Sequence, residues 1–166
     1  CFNNAYRPPS LHFFLAKEVM VPIVSFDLFE FTLISIFFWY LIIAEDSPLL
    51  RKLLHDTLNE AGYYNLEFFE NGKDALQYLE SMLNQTADIT EVVQLVITDI
   101  EMPQMDGHHF TKRIRENKGL SPLPVIIFSS LITDDLKHKG ESVGADDQVS
   151  KPEIAELVLK IDQYIL

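Results

Sequence analysis

Residues 95–107 read Leu95-Val96-Ile97-Thr98-Asp99-Ile100-Glu101-Met102-Pro103-Gln104-Met105-Asp106-Gly107. The apolar run that opens this stretch is typical of a strand buried on both faces of a sheet. Asp99 follows the run and so puts a carboxylate at the carboxyl end of the predicted strand. Ligands of open parallel sheets bind outside the carboxyl ends of the strands, which makes Asp99 a candidate functional residue.

Three other apolar runs also end in polar side chains. Glu45 and Asp46 follow the run from Leu41 to Ala44. Ser129 and Lys151 end two later runs. Because the carboxyl ends of parallel strands meet at one edge of a sheet, a single pocket could collect these four side chains and the carboxylate of residue 99.

Three carboxylates in one pocket would repel one another. At separations of about 4 Å and an effective dielectric constant of about 20, the repulsion is roughly 4 kcal/mol per pair. A lysine supplies one compensating charge, and a divalent cation would supply the rest. Oxygen ligands with room for water suit Mg²⁺ better than zinc, which prefers nitrogen and sulfur, so we expect Mg²⁺ as the cofactor.

Composition indicates one domain and protein partners. The chain has 166 residues, 48% of them hydrophobic and 23% charged, which is enough for one well-buried α/β domain and too few for two. A net charge of −12 argues against nucleic acid as a partner, because phosphate backbones are bound by clustered lysine and arginine. Cys1 is the single cysteine and cannot form an intramolecular disulfide, which favours a cytoplasmic location.

Residues 1–38 differ in composition from the rest of the chain. More than half of the aromatic residues and none of the glycines lie within residues 1–40. We predict an irregular N-terminal appendage over 1–38, which is packed, disordered or misread from upstream sequence, and we expect a truncated chain because it begins with Cys1. Extending the uncharged stretch 31–44 to spanning length takes in Asp27 and Glu30, so no membrane insertion is expected.

Residues 39–166 have the pattern of five βα units in one domain. Strands are expected at 39–44, 66–69, 92–98, 125–128 and 148–150, each followed by a helix. Ser47 and Pro48 are the start signals of the first helix. Its inward stripe is expected to comprise Leu50, Leu53, Leu54, Thr57, Leu58 and Ala61. Strands that alternate with helices in this way imply a parallel sheet covered on both faces.

Four motifs, in this order, resemble the receiver domains of two-component response regulators. They are Glu45-Asp46, Asp99 in an Asp-x-x-Met-Pro-x-Met-Asp-Gly run, Ser129, and Lys151-Pro152. The resemblance implies a flavodoxin-like (βα)5 fold, a doubly wound parallel sheet with strand order 2-1-3-4-5. It also implies a phosphorelay protein that accepts a phosphoryl group and promotes its own dephosphorylation but is not a turnover enzyme.

Several segments are similar, more narrowly, to the receiver half of CheV-type chemotaxis coupling proteins. These segments are Glu45 to Arg51, Gly107-His108-His109, Phe128-Ser129-Ser130, Gly144-Ala145-Asp146 and Lys151-Pro152-Glu153-Ile154. In that family the receiver follows a scaffold domain similar to CheW. The resemblance therefore implies a chemotaxis-type histidine kinase as partner, and a chemoreceptor or coupling scaffold reached through an upstream domain that this chain lacks.

The resemblance assigns Asp99 as the phosphoacceptor. Lys151 would pair with the phosphoryl oxygens, and Ser129, in preference to Ser130, would form a hydrogen bond with them. Lysine suits this role because its ammonium is a point charge for phosphate. The bond between Lys151 and Pro152 would be cis, as prolyl chemistry permits.

The implied magnesium ligands are Glu45, Asp46, Asp99 and the backbone carbonyl of Glu101. Two features depart from the family pattern. Gln148 stands where many receivers carry tyrosine or phenylalanine as a rotating switch, and the polar loop near residues 84–90 lengthens the spacing from Asp46 to Asp99.

Two other functions remain open alternatives. A haloacid-dehalogenase-type phosphatase also uses aspartate, serine or threonine, lysine and magnesium, but its nucleophile lies on the first strand and its additional acids come last. A degenerate receiver that only binds proteins would lack an acid or the lysine, and this chain lacks neither. His108 and His109 are adjacent on a helix and point in different directions, so we predict a structural role for them, and we predict that Asp106 caps the same helix.

Overall fold

The computed structural model describes residues 39–130 and 133–165. Five strands and five α-helices alternate along them. The strands are β1 (Tyr40–Ala44), β2 (Asn65–Phe69), β3 (Leu95–Thr98), β4 (Val125–Ser129) and β5 (Asp147–Ser150). The helices are α1 (Pro48–Glu60), α2 (Gly72–Leu83), α3 (Gly107–Glu116), α4 (Asp134–Ser142) and α5 (Ile154–Ile165).

The five strands form one parallel sheet in the order β2-β1-β3-β4-β5. The carboxyl ends of its strands are in register: Ala44 on β1 pairs with Phe69 on β2 and Thr98 on β3. Ser129 on β4 pairs with Ser150 on β5. The predicted flavodoxin-like fold and its strand order are therefore confirmed.

Two apolar layers cover the sheet, because successive side chains on a strand point to opposite faces. On β1, Leu41 and Ile43 belong to the layer that includes α1 and α5. Ile42 and Ala44 belong to the layer that includes α2 and α3. The helices contribute Leu54, Leu58, Leu157 and Ile161 to the first layer and Ala75, Leu79, Phe110 and Ile114 to the second. This is the doubly wound arrangement that the sequence predicts.

The predicted start of β3 is wrong by three residues. Residues Ile89–Glu91 form a 3-10 helix with Asp88 as its N-cap, and the backbone amides of Val92 and Val93 both donate to the carbonyl of Ile89. These amides therefore form their hydrogen bonds within the turn and not with a neighbouring strand, and β3 begins at Leu95. The other strand boundaries agree with the prediction to within one residue.

Helix α1 begins as its sequence signals predict, with the Ser47 hydroxyl accepting a hydrogen bond from the amide of Leu50. The predicted inward stripe is too wide. Leu54 and Leu58 are fully buried, whereas Leu53 is 43% exposed and Ala61 is also exposed. A single helix on a sheet buries only a narrow strip, and α5 covers the adjoining area of the same face.

No helix within the described ranges is long and apolar enough to cross a membrane. The predictions made for residues 1–38, an appendage without a membrane span, lie outside the described residues. The boundary between that segment and a domain at 39–166 stays a prediction.

His108 on α3 is buried without a hydrogen bond to either ring nitrogen. Its neighbour His109 is exposed, so the two rings point in different directions, as predicted. Burial lowers the pKa of the His108 imidazole, and the ammonium of Lys139 acts in the same direction, while the backbone of Leu136 and the carboxylate of Asp106 oppose them. The imidazole therefore resists protonation in the folded protein.

Replacing His108 by leucine should stabilise the fold. Removal of two unsatisfied buried nitrogens should raise the free energy of unfolding by about 1 kcal/mol at about pH 8. The gain should grow as the pH falls below about 6.5, because the unfolded chain then takes up a proton that the buried ring resists, and this costs the parent stability. Urea denaturation at about pH 8 and about pH 5 measures both effects. The exposed neighbour provides the control, His109→Gln, and an equal gain at both pH values would contradict the titration argument.

A chain that begins at residue 39 should fold without residues 1–38. The described residues from 39 onward already contain two apolar layers and five paired strands, and Trp39 packs on Tyr63 with ring centroids 5.6 Å apart, so Trp39 has to be kept. The circular dichroism spectrum of this shorter chain should be that of a folded α/β domain, and its melting temperature should match that of the full sequence. An unfolded shorter chain would show that residues 1–38 contribute to packing and that the boundary is misplaced.

Candidate functional site

The loop after β1 carries two acids in different environments. Glu45 is 2% exposed, its backbone amide donates to Phe69 (2.9 Å), and its Oε1 accepts from the amide of Ser47 (3.0 Å). Asp46 is exposed. The buried acid is therefore fixed by hydrogen bonds, and the exposed acid lies at the mouth of the pocket.

Asp99 lies at the end of the neighbouring strand, β3, and is 7% exposed. Its amide donates to the carbonyl of Ala44 (2.9 Å), and its Oδ1 accepts from the amide of Ile100 (2.6 Å). The loop that follows folds back closely, so that a Cβ on Gly107 would lie 1.9 Å from the carbonyl oxygen of Asp99. Only glycine fits there, and Asp106 caps α3 by accepting from His109, as predicted.

Lys151 joins the two buried acids. Its Nζ lies 2.6 Å from Glu45 Oε2 and 2.8 Å from Asp99 Oδ2, and its side chain is 6% exposed. The backbone amide of Lys151 donates to Ser129 (3.0 Å), and the Nζ lies 5.7 Å from the centre of the Phe128 ring. The cis bond expected between Lys151 and Pro152 is present.

Negative charge exceeds positive charge in this pocket. Carboxylate oxygens of Glu45, Asp46 and Asp99 lie within 4.8 Å of one another, and one ammonium opposes three acids. Burial raises the pKa of the Glu45 carboxyl, while Lys151 and the Ser47 amide act against this shift. An all-oxygen donor set with excess negative charge fits Mg²⁺ by its chemistry.

Two predicted residues remain, Ser129 and Glu101. Ser129 is fully buried at the end of β4, whereas Ser130 is exposed. Glu101 follows Asp99 by two residues, and its side chain is exposed. The structure thus brings together Glu45, Asp46, Asp99 and Lys151, and the roles of Ser129 and of the Glu101 carbonyl stay predictions.

Sequence reasoning assigned no role to Arg51. Its Nη1 donates to the carbonyl oxygens of both pocket acids of the β1 loop, Glu45 (2.7 Å) and Asp46 (2.9 Å). Its Nη2 pairs with Glu70 (3.0 Å). The available signal was an arginine in the first turn of the helix that follows the acid pair, where its side chain can reach back to the loop.

Gln148 is directed towards helix α4. Its Nε2 donates to the carbonyl of Lys137 (2.8 Å), and its buried Oε1 has no hydrogen-bond partner. A Cβ on Gly140 would lie 2.6 Å from that oxygen. Gln148, which stands where many receivers carry tyrosine or phenylalanine, is therefore hydrogen-bonded to the backbone of α4.

Known proteins share sequence similarity and this fold with the chain. A model of the response regulator receiver domain matches residues 41–162. Chemotaxis protein CheV1 of Helicobacter pylori is 30% identical over 124 residues, which are 75% of this chain and 37% of that protein. The chain thus spans little more than a third of the length of this relative.

Solved structures agree with the match. The chemotaxis response regulator CheY4 of Vibrio cholerae is 28% identical, with a TM-score of 0.62 over 77% of this chain and 98% of that one. A receiver domain of a sensor histidine kinase from Pseudomonas aeruginosa, solved with a magnesium ion in its active-site cleft, shares the fold at 20% identity, with a TM-score of 0.65 over 76% of this chain and 97% of that one. The chain belongs to the response regulator receiver domain family of two-component signalling.

Proposed function

We propose that this receiver accepts a phosphoryl group on Asp99 from a histidine kinase, with Mg²⁺ as cofactor. The observation that carries the proposal is the position of Lys151, whose ammonium lies between Asp99 and Glu45. A carboxylate oxygen of Asp46 lies within 4.8 Å of oxygens of both acids. A nucleophile, a fixed cation and a set of oxygen ligands thus meet at one edge of the sheet.

Phosphoryl transfer requires an oriented nucleophile and positive charge near the transferred group. An oxygen of Asp99 attacks the phosphorus of a phosphohistidine, the P–N bond breaks, and its electron pair stays on the imidazole. The Ile100 amide and Lys151 hold one carboxylate oxygen each, which orients the nucleophile. Bound Mg²⁺ would supply further positive charge for the phosphoryl oxygens, and Glu45, Asp46, Asp99 and the Glu101 carbonyl would hold it.

The same geometry favours a phosphoacceptor over the two alternatives. The acid pair follows the first strand and Asp99 follows the third, which is the reverse of the order in a haloacid-dehalogenase-type phosphatase. A degenerate receiver that serves only for protein binding would lack an acid or the lysine, whereas this chain has all of them in one cluster. The protein would therefore act as a phosphorylated signal and not as a turnover enzyme.

A role in chemotaxis is the more specific part of the proposal. Both a CheV protein and a CheY protein are similar to this chain, but the chain spans only 37% of the CheV1 relative. A chemotaxis-type kinase in the cytoplasm would donate the phosphoryl group, and a coupling scaffold or chemoreceptor would be reached through an upstream domain.

Asp99→Asn should abolish phosphorylation by a small acyl phosphate in the presence of Mg²⁺, because the amide is not a nucleophile for this transfer. The parent should carry one acid-labile phosphoryl group by intact-mass measurement. Asp56→Asn is a control, since Asp56 is an exposed aspartate on α1. Equal labelling of Asp99→Asn and the parent would reject the proposed nucleophile.

Asp46→Asn should weaken Mg²⁺ binding at least tenfold by titration calorimetry, because it removes one of three anionic ligands from the site. Mg²⁺ should also raise the melting temperature of the parent more than that of the variant, since a ligand stabilises the state that binds it. Asp56→Asn removes an equal charge outside the cluster and should retain the parent's affinity. Unchanged affinity in Asp46→Asn would exclude this metal site.

A further inference from the structure

Arg51 is bonded to the backbone of the loop that carries two of the three pocket acids. Its Nη1 donates to the carbonyls of Glu45 and Asp46, at 2.7 and 2.9 Å. The Arg51 side chain is 18% exposed, and its Nη2 reaches Glu70 beyond the end of β2. A guanidinium carries five N–H donors in a rigid planar fork, so it can hold two carbonyls and a carboxylate at once in a fixed geometry.

The two acids of the loop depend on this arginine to different degrees. The Glu45 carboxylate is fixed by the Ser47 amide and by Lys151, independently of Arg51. Among the residues that the structure describes, the Asp46 carboxylate makes no hydrogen bond or ion pair. The position of the Asp46 carboxylate therefore depends on the conformation of the Asp46 backbone, whose carbonyl accepts a hydrogen bond from Arg51.

We infer that Arg51 is a positioning residue of the metal site, which holds the Asp46 carboxylate in ligand geometry through its backbone. The inference rests on the proposed function, because it presumes that Asp46 binds Mg²⁺. The hydrogen bonds of the arginine in this loop go to backbone carbonyls and not to the carboxylates of the cluster. Arg51 fixes the loop before the ligand arrives, so that binding does not have to order it.

The sign of the effect separates positioning from electrostatics. A guanidinium close to the site repels Mg²⁺, so removal of its charge alone would tighten binding. Loss of the positioned backbone would weaken binding instead, since partners that orient metal ligands typically contribute about tenfold or more to affinity. A purely structural clamp would change the melting temperature and leave the affinity of the folded protein unchanged.

The decisive variant is Arg51→Met, which keeps the apolar stem and removes all donors. Its dissociation constant for Mg²⁺, measured by calorimetry on the full chain, should rise about tenfold. The Mg²⁺ concentration that half-saturates phosphorylation by an acyl phosphate should rise by the same factor, while the rate at saturating Mg²⁺ stays near that of the parent. Arg51→Lys restores the charge and one donor group, and it should recover part of the affinity.

Two controls separate the contacts of the arginine. Arg115 at the opposite edge of the sheet also binds backbone carbonyls, those of Ser121 and Leu123, and pairs with Asp146. Arg115→Met should lower the melting temperature with no change in Mg²⁺ affinity. Glu70→Gln removes only the exposed ion pair of Arg51 and should leave the affinity within about twofold, since exposed pairs contribute little.

Each outcome supports or rejects the inference. Unchanged or tighter Mg²⁺ binding in Arg51→Met overturns it, provided that Asp46→Asn weakens binding. If Asp46→Asn also binds normally, the proposed metal site itself is wrong. If Arg51→Met does not fold, the folded variant Arg51→Lys decides, and parental affinity in that variant overturns the inference.

Discussion

The interaction on which the rest of the site depends is the buried ammonium of Lys151 between Glu45 and Asp99. Removing one partner of a buried ion pair typically costs several kcal/mol, because it leaves an uncompensated charge in a medium of low polarity. The three residues come from loops after β5, β1 and β3, so their contact requires the strand order observed here. The parallel sheet thus serves to bring one cation and two anions from distant parts of the chain into contact.

This cluster is locally unfavourable, and the core compensates for it. Three carboxylates face one ammonium, and burial raises the pKa of Glu45. Two continuous apolar layers, one on each face of the sheet, stabilise the strands that hold the acids. Proteins commonly retain such local conflict at functional sites and offset it elsewhere in the fold. Here the excess of carboxylates leaves the pocket with a net negative charge, which favours the binding of a divalent cation.

Two arginines hold loops at the two ends of the strands through hydrogen bonds to backbone carbonyls. Arg51 binds the loop at the carboxyl edge, and Arg115 binds loops at the opposite edge. Helix α4 differs from the other helices, because no apolar side chain of its described residues is fully buried. Its neighbours Gln148 and His108 each carry a buried polar atom without a hydrogen bond. Helix α4 itself therefore buries less apolar surface than α1 or α5.

The sequence alone determined the five βα units and the set of pocket acids, whereas the flavodoxin-like strand order was implied by the resemblance to receiver domains. Apolar runs, helix caps such as Ser47, and polar residues at strand ends are local patterns, and parallel topology then places those ends at one edge. The tertiary structure alone decided which atoms meet. Lys151 contacts Glu45 across 106 residues of sequence, Arg51 turns back to the carbonyls of the acid pair, and His108 is buried without a partner. Such contacts depend on how elements far apart in the chain pack together, and the periodicity of the sequence does not indicate them.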